Sequence, residues 1–236
     1  RCLGLSHQVL NNGEDEGVLP AGAAGTPLQP TAQKHDSLVL GLKKLDEALS
    51  LLDSTGHVTK KTQLGLLRTY VLSVPVHRLR GLWTKPDEAK VFDETARQVL
   101  GRLLDAKLTD DQWRQATLPL KSGGLGLPTV AERAAPAFLG AWAATAKDVA
   151  RALRITTAAH FRTAAATAVA EVNEARAVLQ AAGEKNSTQS WEDWLDAPQK
   201  GLQKHLHQSE QDRRLASLLR ELKADDAAAL RSAGGA

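Results

Sequence analysis

Methionine is absent from all 236 residues, and cysteine, isoleucine and tyrosine occur once each, as Cys2, Ile155 and Tyr70. A lone cysteine excludes an intrachain disulfide framework and a cysteine-rich zinc site, which favours an intracellular setting, a nuclear one included. With one isoleucine and only 4% aromatic residues, a large sheet has little to be built from. No run of eighteen apolar residues occurs, and the first residues carry no basic-then-apolar leader. Membrane insertion is therefore not expected, and no targeting signal is read. The lack of methionine even at position 1 leads us to expect an internal piece of a longer reading frame.

The abundant residues are alanine and leucine, and their spacing is helical. Leu38, Leu42, Leu45, Leu49 and Leu52 recur at intervals of four and three, with Lys43, Lys44, Asp46 and Glu47 between them, so one apolar stripe lies on a helix that ends near Gly56. A second helix is predicted from about Thr59 to Val74, where Pro75 must bend or restart it before Trp83. Pro86 followed by Asp87 and Glu88 suits the start of a third, whose buried face is Phe92, Ala96, Val99, Leu100 and Leu103. Thr109 with Gln112 reads as a capping box for a short helix bearing Trp113, and Thr129 with Glu132 as another. An alanine-rich pattern then runs to about Ala182 as two helices broken near residues 154–157. Ser190 with Asp193 opens a last pair over 191–207 and 209–232. Residues 1–33, with NNGEDEGVLPAGAAGTPLQP, lack either period and read as an irregular remnant or linker, in which RCLGL and EGVLP could be short strands. The expected class is all-α, a multi-helix array with an irregular N-terminal segment and a glycine-rich corner.

That corner is LPLKSGGLGLPT, residues 118–129. Gly123, Gly124 and Gly126 permit backbone angles closed to other residues, Pro119 and Pro128 fix theirs, and Leu118, Leu120, Leu125 and Leu127 can turn inward. Its motif is neither GxxxxGK[ST] nor GxGxxG. Two uses are open: glycine N–H groups with Lys121 and a following helix start could receive a phosphate, or the loop is a structural corner pinning one helix layer to the next.

The formal charge of +3 says little alone, but its distribution says more. Between Ser54 and Lys85 lie Lys60, Lys61, Arg68, Arg78, Arg80 and Lys85, with His57 and His77, and not one Asp or Glu. Such a helical pair makes a local positive field of the kind that binds phosphates with release of counterions. The plain alternative is a solvated face whose cations pair with acids elsewhere, such as Asp46, Asp87 or Glu88. Trp83 lies beside this segment and could stack on a base; Trp113, Trp142, Trp191 and Trp194 fall on apolar helix faces and read as core or partner contacts. His205 and His207, two apart on a helix, point in different directions and make a poor zinc pair. No catalytic site, metal site or cofactor is expected.

The run from Phe92 to Trp142, FDETARQVLGRLLDAKLTDDQWRQATLPLKSGGLGLPTVAERAAPAFLGAWA up to its final tryptophan, resembles the region downstream of the polymerase core in reverse transcriptases of non-LTR-type retrotransposons. In that family a helix, an "sdxxWxqaxLPlrxGGLGL" turn and a helix opening on an A-P-A-x-x-A-S-W-like pattern follow in the same order and spacing. Leu66 to Trp83, LLRTYVLSVPVHRLRGLW, is similar to the family's "LLRxxxxxRxxxLLR" segment. The stretch from Leu202 to Ala236 resembles the part that closes the region before a Cys/His-containing segment. The resemblance covers residues 38–236, specific at the turn and weak at the flanks. It implies a thumb-like helical domain over 34–128 and a post-thumb α-helical domain over 129–236.

It implies no polymerase active site. In the family, metal-holding carboxylates sit at a Tyr/Phe-Ala-Asp-Asp turn in the palm, whereas Lys223-Ala224-Asp225-Asp226 has a lysine first, lies among helix formers and follows the thumb. It reads as a solvated acidic patch. The function implied is non-catalytic. It is to grip an RNA or RNA–DNA duplex by its backbone, with Lys60, Lys61, Arg68, Arg78, Arg80, Lys85 and Lys121 as contacts, beside the rest of a polymerase. The competing expectation is a helical interaction or scaffold module in a larger complex.

Overall fold

The computed structural model describes residues 33–54, 56–184 and 190–234. The expectations for RCLGL, EGVLP and residues 1–32 lie outside these, as does Cys2. Residues 32–236 form one compact unit, with ten α-helices and no strand among the described residues. The fold is all-α. No described helix is long and apolar enough to cross a membrane.

The first three helices are α1 (Gln33–Ser54), α2 (Lys60–Gly81) and α3 (Pro86–Leu103). They close around Leu42, Leu49, Leu67, Val71, Phe92, Val99 and Leu100, the faces that the leucine spacing and the Pro86 start predict. The first helix begins at Gln33, five residues before the first leucine of its stripe. Pro75 neither ends nor restarts α2, which runs through it to Gly81; the buried residues Gln63, Leu67, Val71, Pro75 and Leu79 make one i, i+4 row that carries the helix past the missing N–H. Gly65 sits inside α2, and a Cβ added there meets nothing within 4 Å. Gly65→Ala should therefore raise unfolding free energy by about 0.5 to 1 kcal/mol, as read by chemical denaturation; a loss of stability would contradict an unbroken α2.

Next come α4 (Asp110–Ala116), a single 3-10 turn (Leu120–Ser122) and α5 (Val130–Ala152). The Thr109–Gln112 box forms with both bonds present. Sequence neighbours on α5 serve different cores: Val130, Ala134 and Ala137 join the first, while Ala135, Phe138, Leu139 and Ala143 join a second. A helix buried on several sides must be apolar nearly all round, which is what its alanines supply.

The second core is completed by α6 (Ala158–Ala164), α7 (Ala166–Ala181), α8 (Trp191–Asp196) and α9 (Leu202–Glu221), followed by α10 (Ala224–Ala233). The break after α5 falls where expected, with Arg154 in the left-handed region at φ 56°. The expected single helix beyond it is instead divided at Ala165; both halves keep apolar residues, Phe161 and Val172, on the same core, and no glycine or proline marks the joint. The last pair also differs. Pro198 and Gly201, at φ 87°, stop α8 early, α9 then passes straight through residues 207–209, and the stop comes at Leu222. The Ser190–Asp193 box is formed. Asp225 and Asp226 are exposed in the first turn of α10, where their charge suits the helix dipole.

The tryptophans are largely structural. Trp191 and Trp194 are buried, with ring centroids 5.3 Å apart, and Trp142 sits edge-on to Trp191 at 5.7 Å. Trp83 lies 5.7 Å from Phe138, and its indole N–H donates to Glu174 at 2.8 Å. Beside the basic segment it is thus packed against both cores.

Candidate nucleic-acid interface

The i, i+4 geometry of α2 sorts its basic residues. Against the buried row lies one containing Lys60, Leu64, Arg68, Val76 and Arg80; beyond it, facing solvent, lies the row of Lys61, Thr69, Ser73 and His77. At about 100° per residue Lys61 and Arg68 lie nearly one above the other, Arg80 is turned about 120° from Arg68, and Lys60 lies almost opposite Arg80. Arg78 falls on the opposite flank, with Leu66, Tyr70 and Val74. Its Nε is buried without a hydrogen-bond partner, and burial lowers its pKa, partly offset by the charge of Glu88. The structure separates Arg78 from the other cations of its helix. Lys85 is exposed at the N-cap of α3, and Lys121 is exposed on the 3-10 turn, donating to Gln208 at 3.2 Å.

Of the acids that the plain alternative would recruit, Asp46 and Asp87 are engaged elsewhere, whereas the charge of Glu88 acts on Arg78. Asp46 pairs with Arg102, Asp87 with Lys90 at 2.8 Å, and Glu88 accepts the backbone N–H of Lys85 at 3.2 Å. Lys60 does pair, with Asp53 at 2.8 Å, and that bond, with a second from Gln63, holds the Asp53 carboxyl below its ordinary pKa. Among the described residues, Lys61, Arg68, Arg80, Lys85 and Lys121 enter no ion pair. Arg80 is tied only through Nε, which donates to the neutral Gln203 amide of α9 at 3.1 Å.

At the glycine corner, the phosphate-receiving alternative is overturned. The N–H groups of Gly123, Gly124, Leu125 and Gly126 donate to the carbonyls of Leu120, Pro119, Ala116 and Leu118 at 2.9–3.1 Å, leaving none to face a ligand. Gly123 and Gly126 take positive φ, 77° and 68°, as expected of a tight turn. Gly124 does not; it is required because an added Cβ would meet Leu118 and Gln115 backbone atoms. The Arg68 stem packs over the corner, its Cδ 3.3 Å from where a Gly126 Cβ would stand.

The start of α5 is also occupied, by a residue the sequence did not single out. Asp93 of α3 accepts the N–H of Val130 at 2.7 Å and of Ala131 at 3.0 Å. Only half of the expected Thr129–Glu132 capping box forms: Thr129 accepts the Glu132 N–H at 3.3 Å, but the Glu132 carboxylate pairs with Arg214 of α9, which also donates to Thr117 at 2.9 Å. Desolvation pushes Asp93 up to about 6 and Glu132 up to about 7, against the pull of these partners.

Arg133 was likewise not foreseen. Pro75 offers no N–H to the carbonyl four residues before it, Val71, and Arg133 Nη1 donates to that carbonyl at 3.4 Å. Burial, then the charge of Arg80, lowers the Arg133 pKa. A proline inside a helix predicts an orphan acceptor at i−4; nothing local says which distant side chain fills it. No group of three His, Cys, Asp or Glu able to hold a metal occurs among the described residues, and His205 and His207 differ in environment, one exposed and one half-buried. No family model, no curated protein and no solved structure matches the chain.

Proposed function

We propose that the chain is a non-catalytic, nucleic-acid-binding helical segment, the thumb and post-thumb part of a retroelement reverse transcriptase. It grips an RNA or RNA–DNA duplex through its phosphate backbone. The observation that carries this is the half of α2 bearing Lys61, Arg68 and Arg80, whose cations remain without carboxylate partners after folding while nearby acids pair with other groups. Nineteen helical steps from Lys61 to Arg80 span about 28 Å, enough to follow several phosphates of one strand. Lys85 and Lys121 add charge beyond the helix. Contacts of this kind position a duplex without reading its bases.

The opposite flank favours a second, compatible role in docking other protein. Leu66 and Val74 are 44% and 39% exposed there, on the row of Arg78. One helix can thus face nucleic acid on one side and protein on the other.

Titration of a short labelled RNA–DNA duplex at several salt concentrations tests the grip. Three to five neutralised phosphates give a log–log slope of about −3 to −5, and Lys61→Glu with Lys85→Glu should flatten it by about 2. No binding at low salt, or an unchanged slope in the double variant, would remove this face from the proposal.

A further inference from the structure

We infer that α9 carries a further duplex contact, Lys204, which joins the end of α2 to the glycine corner in one phosphate-binding surface formed by Arg80, Lys204 and Lys121. This rests on the duplex-binding reading and extends it to a third element, so that the bound backbone runs off α2 and across α9.

Two hydrogen bonds from distant parts of the chain land on the same helix. Arg80, at the end of α2, donates through Nε to Gln203 Oε1 at 3.1 Å, and Lys121, on the 3-10 turn, donates through Nζ to Gln208 Oε1 at 3.2 Å. Gln203 and Gln208 stand about 7.5 Å apart along the α9 axis and about 140° apart around it. Lys204 lies between them in both senses, one step beyond Gln203 and one turn before Gln208. The first turn of α9 is seated against α5 at Gly140, where a Cβ would lie 2.8 Å from the Gln203 nitrogen, and Lys204 is left exposed to solvent.

The charge of all three groups is unspent. Among the described residues, none of them has a carboxylate partner. What holds Arg80 and Lys121 is in each case a neutral amide, which orients a cation without cancelling it. Cations spread along a path in this way suit a ligand whose charges recur along a backbone. One acid borders the surface: Asp212, a turn beyond Gln208, accepts from Gln208 Nε2 at 2.7 Å and marks its edge beside Lys121. Glu210 is taken by Arg213.

The experiment measures the affinity of the full chain for a short labelled RNA–DNA duplex over a series of salt concentrations. Lys204→Glu should lower affinity about ten-fold at low salt and flatten the log–log slope by about 1, and Lys204→Ala should flatten it equally with a smaller loss of affinity. Asp212→Asn should act in the opposite direction, raising affinity about three-fold. The control is Arg151→Glu, which changes the net charge as Lys204→Glu does but lies about 16 Å along α5 from Gly140; it should leave the slope unchanged. Each of these side chains is exposed, so the helix signal in circular dichroism should match the parent. A Lys204→Glu variant that binds as the parent does, or loses no more than Arg151→Glu, would overturn the α9 contact and leave the α2 grip standing. A parent that binds no duplex at low salt would remove both. Binding of polyglutamate in place of duplex, weakened by Lys204→Glu, would assign the surface to acidic protein, against the proposal.

Discussion

Replacing Asp93 with alanine should lower unfolding free energy by about 2 to 5 kcal/mol. Its carboxylate is the acceptor for the Val130 and Ala131 N–H groups at the head of α5. A buried donor such as the Val130 N–H costs about 1 to 3 kcal/mol if its bond is left unmade, and the part-buried Ala131 N–H adds to it. Asp93→Asn keeps an oxygen that can accept one of the two bonds and should recover roughly half of the loss. The measurement is a denaturant melt, and an alanine variant as stable as the parent would show that the cap contributes nothing. The same residue gives the protein an unusual pH profile. Folding raises Asp93 to about 6 and Glu132 to about 7, both above their unfolded values. The folded state therefore binds more protons than the unfolded state between about pH 7 and pH 4, and these groups stabilise the fold as pH falls through that window. His207, lowered on folding, acts the other way below its unfolded pKa but is one group against two. Carboxyls held low by partners, Glu221 at about 2 and Asp53, Asp87, Glu192 and Asp193 below their ordinary range, withdraw stability only below about pH 4. The melting temperature should peak near pH 4, and Asp93→Asn with Glu132→Gln should flatten the rise. A steady decline from pH 7 downward would contradict it.

Gly124→Ala should cost about 2 to 3 kcal/mol, because the new Cβ would stand 2.5 Å from the Leu118 carbonyl carbon and 2.6 Å from the Gln115 oxygen. Both are backbone atoms that no rotamer change can move aside. The corner they belong to holds Leu118 against Leu218 and Leu230, so relief by backbone shift would disturb the packing of α9 and α10. Gly126→Ala makes the informative comparison. At φ 68° it carries conformational strain of about 1 to 2 kcal/mol, but its nearest contact is a flexible arginine stem. Thermal melts of the two variants should rank Gly124 as the more severe; the reverse order would place the requirement in backbone conformation and not in space.

What the chain revealed in advance was local. Caps built from residues three apart, at Thr109 and Ser190, formed as read, and so did the buried faces of α1 and α3, because a helical period is set by neighbours. The misreadings share a different origin. Glu132 abandons its capping box for Arg214, 82 positions away, because a buried carboxylate gains more from a charge partner than from a neutral backbone N–H. Asp93 and Arg133 are invisible for the same reason: each completes a backbone group that the chain brings to it only after folding. The joint at Ala165 and the continuous α9 are decided by packing on the tryptophan core, and alanine has no preference to announce either. Among the cations, the sequence supplied the acid-free stretch but not its division, since Arg78, about 160° around α2 from Arg80, has its Nε buried while Arg80 stays exposed.

The placement of α5 between two cores has an optical consequence. Twenty-three residues of helix make a strut about 35 Å long, whose first turns pack among the apolar residues of α1 to α3 while Ala135 onward also packs on the core that holds Trp191 and Trp194. The C-terminal end of α2 also reaches that core, through Trp83 against Phe138 and Phe138 against Trp142, so indole fluorescence reports directly on the environment of the helix proposed to bind.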